Sequence, residues 1–351
     1  PGGVTLAQFI EKKYGSFAQK IVSIVAIIYM SAFLIAEFAS ISFLFESISD
    51  VSGIIVSSLV ATTTFLYLNK SGFKASYVTD KIQGVGIILL LTLLFGLWFS
   101  QNSFDEITNF ANLGGLSTFE TYSLKSALAV VIAVTAAEIF STGYWQRTFS
   151  AVDETTIKKA SVYSGLGVFI TILLLGVAGA VGAGKGLETP TLSFIDQLSL
   201  NSLTVLVLIS LATLLVTSSV DTLENAISST ISIDIVKKGS KEANNITLAV
   251  VVLALFASTR VTNIFTVFLV ADLFATSLVF PAFYKIKKAS KNMMLVVPFS
   301  GSLVSVFLYR YLFIDLQENP GGLFVPTDLY GLADLNTFAV ALLSSVIFTL
   351  V

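Results

Sequence analysis

Long apolar runs separated by short polar stretches set the rhythm of this chain. Runs long enough to cross a bilayer, about 20 residues each, fall over 21–45, 51–68, 83–100, 126–145 and 161–183. A second set falls over 203–232, 243–259, 262–284, 293–314 and 336–351. None alternates with period two for any length, which argues against a barrel and for helices. The pattern predicts an all-α polytopic membrane protein with about ten transmembrane helices.

Charge placement tests that count independently. Lys12, Lys13 and Lys20 precede the first run, Lys70, Lys74 and Lys81 lie between the second and third, and Arg147, Lys158 and Lys159 follow the fourth. Lys237, Lys238 and Lys241 follow the sixth, and Lys285, Lys287, Lys288 and Lys291 follow the eighth. These are 16 of the 20 basic residues, all on alternate loops. The other loops hold only Lys125, Lys185, Arg260 and Arg310, and the stretch FIDLQENPGGLFVPTDLYGLADLN is acidic. The positive-inside rule then puts both ends in the cytoplasm of a protein in the cell's inner (plasma) membrane.

Composition narrows the chemistry. The chain is 55% hydrophobic and 12% charged, with a mean hydropathy of +0.87. It has no cysteine and no histidine, which excludes Ser-His-Asp and thiol catalysis and any zinc site built on those ligands. No GxxxxGK[ST] motif is present. The reading is a non-enzyme whose partners are the lipid bilayer and a small solute, with no nucleic acid and no protein partner evident. Pro1 rather than Met begins the chain and no signal peptide is visible, so the sequence reads as part of something longer.

One apolar run is interrupted by chemistry: LLVTSSVDTLENAISSTISID, residues 214–234. At about 100° per residue, Ser218, Ser219, Asp221, Thr222, Asn225, Ser228, Ser229 and Ser232 share one half of a helix. Val216, Val220, Leu223, Ile227 and Ile231 form a stripe opposite, facing lipid or packed helices. Serine and threonine also serve as plain packing residues between membrane helices, but a carboxylate there requires a cation, a proton or a basic partner. Glu37, Glu138, Asp221, Glu224 and Asp272 all fall within spans, and no lysine or arginine is expected near the middle of one. An interior with acids, hydroxyls and carbonyls suits a hard cation such as sodium. Thr79–Asp80, taken alone, reads first as a helix N-cap, and Tyr144 and Trp145 read equally as interfacial aromatics.

TSSVDTLENAISSTISIDIVKK resembles the signature helix of the sodium:solute symporter family, which includes bacterial proline and pantothenate carriers and sodium–glucose cotransporters. TLAQFIEKKYG (5–15) resembles the start of that family's third core helix, and YLNKSGFKASYVTDKIQG (67–84) the start of its fifth. GYWQRTFSAVDETTIKKA (143–160) resembles the loop after its sixth, and FLVADLFATSLVFPAFYKI is compatible with its tenth. The resemblance implies a LeuT-like bundle of two inverted five-helix repeats with sites near the midplane. It makes 1–351 a single transporter domain, core helices three to ten plus two peripheral ones, with the first two core helices absent.

Carried over by position, the shared sodium site takes the hydroxyls of Ser218 and Ser219 and the carbonyl of Leu215. A second sodium, present in some members, takes Ser218, Asp221, Thr222 and Asp80. Glu37, Ser141, Tyr144 and Asp272 line the substrate cavity. The expected function is sodium-coupled symport of a small organic solute of amino acid, sugar, urea or amine type, by alternating access. Acidic cavity walls lean toward a solute that is positive or rich in hydrogen-bond donors. A symporter-like sensor domain of a signalling protein and a proton-coupled carrier on the same fold are the alternatives.

Overall fold

The computed structural model describes residues 5–118, 120–187, 192–236, 240–284, 293–315 and 321–351, with backbone alone over 69–75 and at 240. Lys237, Lys238, Lys285, Lys287, Lys288, Lys291 and the side chains of Lys70 and Lys74 therefore lie outside the described residues. The elements in order are α1 (Leu6–Tyr14), α2 (Ser16–Ile48), α3 (Gly53–Gln101), α4 (Phe104–Leu113), α5 (Thr121–Glu138), α6 (Thr142–Phe149) and α7 (Glu154–Gly184). They continue with α8 (Ser193–Asp196), α9 (Ser202–Thr230) and its π-helical extension Ile231–Val236, α10 (Ser240–Ser258), α11 (Ile264–Phe283), α12 (Met293–Phe313) and α13 (Leu335–Leu350). Among the described residues the only β-pairing is a single bridge between Thr327 and Ala333.

Eight of these helical segments are long and apolar enough to span a membrane, and two shorter apolar helices, Gly53–Leu68 and Leu335–Leu350, complete the expected positions. The second and third runs join in one helical element, α3. Tyr67 and Thr79 on that element both bond the same carboxylate, of Asp221. A straight helix would hold residues twelve apart about 18 Å away from each other, farther than those side chains reach, so α3 bends between its two apolar halves.

The fourth expected run, 126–145, is broken. α5 ends at Glu138 and α6 starts at Thr142. Trp145 Nε1 donates to the Ile139 carbonyl at 2.7 Å, supplying a donor that the interrupted helix no longer provides. Gly143 fits because a Cβ there would lie 2.9 Å from Thr222 Cγ2.

Helix ends pair as the charge alternation requires. At one end, α1 is closed by a capping box between Thr5 and Gln8, and Gly15, at φ 94°, turns the chain into α2. Thr5 Oγ1 donates to Asp234 at 3.1 Å, Lys13 Nζ to the Ala282 carbonyl at 3.1 Å, and the Tyr14 hydroxyl to Pro281 and Tyr284 carbonyls. Burial pushes the Tyr14 phenol up to about 12 and the Lys13 amine down. At the opposite end, Trp98 Nε1 donates to Gln197 Oε1 at 3.1 Å and Lys185 Nζ to Asn102 Oδ1 at 2.7 Å.

The central core joins α1, α2, α9, α10 and α11, and it swallows the apolar stripe of α9: Val216, Val220, Leu223, Ile227 and Ile231 are all buried. That stripe faces packed helices, not lipid. α7 is the opposite case, with Val162, Leu166, Phe169, Ile172 and Leu173 all exposed, an apolar face that hydrocarbon covers.

Candidate functional site

Hydroxyls in these helices divide into two groups. Ser42, Thr92 and Thr171 donate back to carbonyls one turn earlier in their own helix, at 2.8–2.9 Å, which satisfies them locally. A second group reaches across between helices and converges on α9. Asp221 is fully buried. Its Oδ1 accepts from Ser76 at 3.0 Å and Thr222 at 3.3 Å, while Oδ2 accepts from Thr79 at 2.9 Å and from the Tyr67 hydroxyl. Four neutral donors thus surround a carboxylate that the sequence left without any. Charge-assisted hydrogen bonds of this kind offset much of the desolvation cost of burying an anion.

The expectation that no basic group stands near these acids is corrected by Arg147. Its Nη2 forms a salt bridge with Asp80 Oδ2 and donates to Thr222 Oγ1 at 2.8 Å, and its Nη1 donates to the Gly143 carbonyl at 3.1 Å. The sequence places Arg147 in the loop after the fourth run, but α6 continues past the break and carries it to α9. Ser218 Oγ donates to the other oxygen of Asp80 at 3.3 Å. Asp80 lies inside α3, so the N-cap reading of Thr79–Asp80 does not hold.

Above this ion pair lies a cavity of about 470 Å³. α2 contributes Tyr29, Phe33 and Glu37; α3 contributes Asp80; α5 and the break contribute Glu138 and Ser141. Tyr144 and Arg147 come from α6, and Ser218, Ser219, Thr222 and Leu223 from α9. Ser219 and Glu37 face the cavity together, from α9 and α2. Tyr29 and Tyr144 line the cavity together with Glu138, so Tyr144 faces the cavity and is not a belt aromatic. Trp145 packs into the central core.

Of the residues expected at a site, Glu37, Asp80, Ser141, Tyr144, Ser218, Ser219 and Thr222 meet at this cavity. Asp221 sits beneath it, in its hydroxyl nest. Leu215 turns its side chain outward, 39% exposed, and its carbonyl lies within an unbroken stretch of α9. Asp272 is not on the wall; it is buried behind Glu138 and Tyr29, close enough to act on both electrostatically. Its Oδ1 has no hydrogen-bond partner among the described residues.

Sequence reasoning missed the residues that position this site. Gln146 is clamped between Asn225, which donates to its Oε1 at 2.9 Å, and Ser229, which accepts from its Nε2 at 2.8 Å. Thr142 and Thr230 hydroxyls meet at 3.1 Å. Half of this network, Asn225 and Ser229, was visible in the polar stripe, and its partners lie on a helix the sequence did not separate. Glu224 is buried, with neither carboxyl oxygen partnered among the described residues; the neighbouring Thr64 hydroxyl donates to the carbonyls of Val60 and Ala61.

No family model matches the chain. It is 23% identical over 371 residues to the spermidine transporter DUR31 of Candida albicans, across 100% of this chain and 70% of that one. It superposes with a TM-score of 0.71 on a Na+-coupled sialic acid symporter solved in a substrate-bound outward-open state, at 14% identity, over 99% of this chain and 76% of that one. That superposition shows the fold, a LeuT-like helical bundle. The chain is a membrane transporter, not an enzyme.

Proposed function

We propose that this transporter is a sodium-coupled symporter for small organic cations of the amine type. The observation that carries the reading is the wall chemistry of the cavity. Glu37, Asp80 and Glu138 face it with Arg147 as the one base among the described residues, and Arg147 is already tied to Asp80. The net negative wall favours a cationic solute. The spermidine transporter to which the chain is similar is named for a substrate of that class.

Sodium is cargo in this reading, and the residues at the cavity edge suit it. Ser218 donates its proton to Asp80, and Ser219 shares the cavity wall with Glu37. Each hydroxyl oxygen keeps lone pairs for a hard cation, and donation to a carboxylate makes that of Ser218 a better acceptor. With the Leu215 carbonyl they form the shared sodium site. A cation there holds α9 against Glu37 on α2 and so couples its own binding to the shape of the cavity. The deeper set of Ser218, Asp221, Thr222 and Asp80 suits sodium less well: a guanidinium already bridges Asp80 and Thr222, and Asp221 is satisfied by hydroxyls. A second sodium would have to displace Arg147. The same reading assigns the ten apolar helices to core helices three to ten with two peripheral ones, in a plasma membrane, both ends of the described chain facing the cytoplasm.

Glu224, buried without partners among the described residues, favours a second reading, in which a proton takes the place of sodium. Uptake of a labelled polyamine by the full-length protein in proteoliposomes separates the two. Under the first reading an inward sodium gradient drives uptake at fixed pH; uptake driven equally by a pH gradient in sodium-free buffer would select the proton. Absence of amine uptake under either gradient would reject the amine reading.

A further inference from the structure

Resting on the reading of the chain as an organic-cation carrier, we propose that Glu138, with the Asp272 carboxylate buried behind it, seats one ammonium group of a polyamine, while Glu37 receives a second at the other end of the same cavity. Glu138 is the last residue of α5, where the helix breaks. The C-terminal end of a helix carries partial negative charge that attracts cations, and here it adds to a carboxylate that faces the cavity. Asp272 stands behind it on α11, buried, with Oδ1 unpartnered among the described residues. α5 and α11 pack through one core, and two carboxylates that feel each other inside a protein repel unless a cation lies between or beside them.

The groups around this pair are aromatic and neutral. Tyr29 and Tyr144 line the cavity beside Glu138. Phe33 lies with its ring centroid 4.6 Å from that of Tyr29 and 4.5 Å from that of Phe268, offering π-faces to an alkylammonium chain. The charged group nearest on α6, Arg147, is occupied by Asp80 and Thr222 at the α9 side. No base neutralises Glu138 or Asp272 among the described residues.

Spacing sets the second half of the proposal. Tyr29, Phe33 and Glu37 follow one another at four-residue intervals on α2 and all line the cavity. Four residues is little more than one turn, so the two ends of this stripe lie about 12 Å apart along the helix. One end carries Tyr29 with Glu138 and Asp272; the other carries Glu37 with Ser219. Phe33 lies between them, beside the methylene chain of an extended substrate. A long polyamine reaches both seats, a short diamine does not, and a monoamine fills one.

The test measures the full-length protein in proteoliposomes against propylamine, a series of α,ω-diamines of increasing length, and spermidine. In wild type, apparent affinity rises with length and ammonium number, by about tenfold or more from monoamine to triamine, as expected for a second ionic contact. Glu138→Gln and Asp272→Asn each raise the triamine KM about tenfold and change the monoamine KM less, whereas Glu138→Asp keeps the preference. Thermal stabilisation of purified wild type by the same amine series reads the same preference without any variant. Amine uptake with affinity flat across the series, or a preference unchanged in both neutral variants, overturns the two-seat proposal and leaves amine transport standing. Absence of amine uptake overturns both.

Discussion

Asp221 shows how a buried carboxylate is kept at the scale of single residues. Ser76, Thr79, Thr222 and Tyr67 all donate to it, so its role is bound up with protons on its neighbours and not with a lone counter-charge. Asp221→Asn turns one acceptor oxygen into an NH₂ donor facing hydroxyls that already donate. The expected result is a loss of about 1–3 kcal/mol of stability, read as a lowered unfolding temperature in detergent; an unchanged temperature would mean the nest does not hold the carboxylate. Ser219→Ala removes an oxygen at the cavity edge while alanine suits the helix. It should weaken sodium activation of transport by roughly ten- to a hundredfold with normal expression. Sodium dependence that stays at the wild-type value would remove Ser219 from the ion site.

Elements meet here through close backbone approaches as much as through side chains. α4 and α7 cross where Gly114 and Gly184 face each other's helix. A Cβ at Gly114 would lie 1.9 Å from the Ala180 carbonyl oxygen, and one at Gly184 would lie 1.9 Å from that of Phe110. Backbone cannot yield as a side-chain tip can, so Gly114→Ala should push α4 off α7 and cost about 1–3 kcal/mol. Limited proteolysis between α4 and α5 would report that release; a cleavage pattern identical to wild type would argue against it. The break between α5 and α6 belongs to the same scale. Hydropathy runs on through 139–141, and only the contacts of Trp145 with Ile139 and of Gly143 with Thr222 explain why the helix stops there.

For the whole molecule, orientation and closure of the bundle make the two remaining predictions. A cysteine replacing exposed Lys158 should react with a membrane-impermeant maleimide only from the cytoplasm, and one replacing exposed Leu116 only from outside. Labelling of both from one face would overturn the alternation. Arg310 is the exception among the sparse outer charges: counted with the outer loops yet inside the ninth apolar run, it lies in the last turn of α12, fully buried. It pairs with Asp334 and donates to Thr337 and to the carbonyls of Gly322, Val325 and Thr327, fastening the 321–334 segment between α12 and α13. Arg310→Met leaves Asp334 without its counter-charge, though Asn336 and Thr337 still donate to it, and takes a donor from the carbonyls of Gly322, Val325 and Thr327. It should cost about 3–5 kcal/mol, seen as loss of monodisperse protein on gel filtration at moderate temperature; a stable, monodisperse variant would show that the clip is dispensable.

The sequence by itself determined what depends on local pattern. Nine of the ten apolar runs are helical among the described residues, end residues apart, at the expected places, because length and hydropathy act within each run; the fourth is broken at 139–141. The polar half of α9 became the wall of the cavity because 3.6-residue periodicity is a local property. Ser218, Ser219 and Thr222 were legible for the same reason, while Asp80, Glu37, Ser141 and Tyr144 came only from the resemblance to a family pattern. Tertiary structure alone decided which groups meet. Arg147 reaches Asp80 across 67 positions of sequence, and Tyr67 reaches Asp221 across 154. Asp272 came to rest behind the cavity wall because α11 packs against α5 through a core no single run describes. Hydropathy registers an arginine or a tyrosine as a position on its own helix; the bend of α3 and the break before α6 decided which carboxylate each would serve.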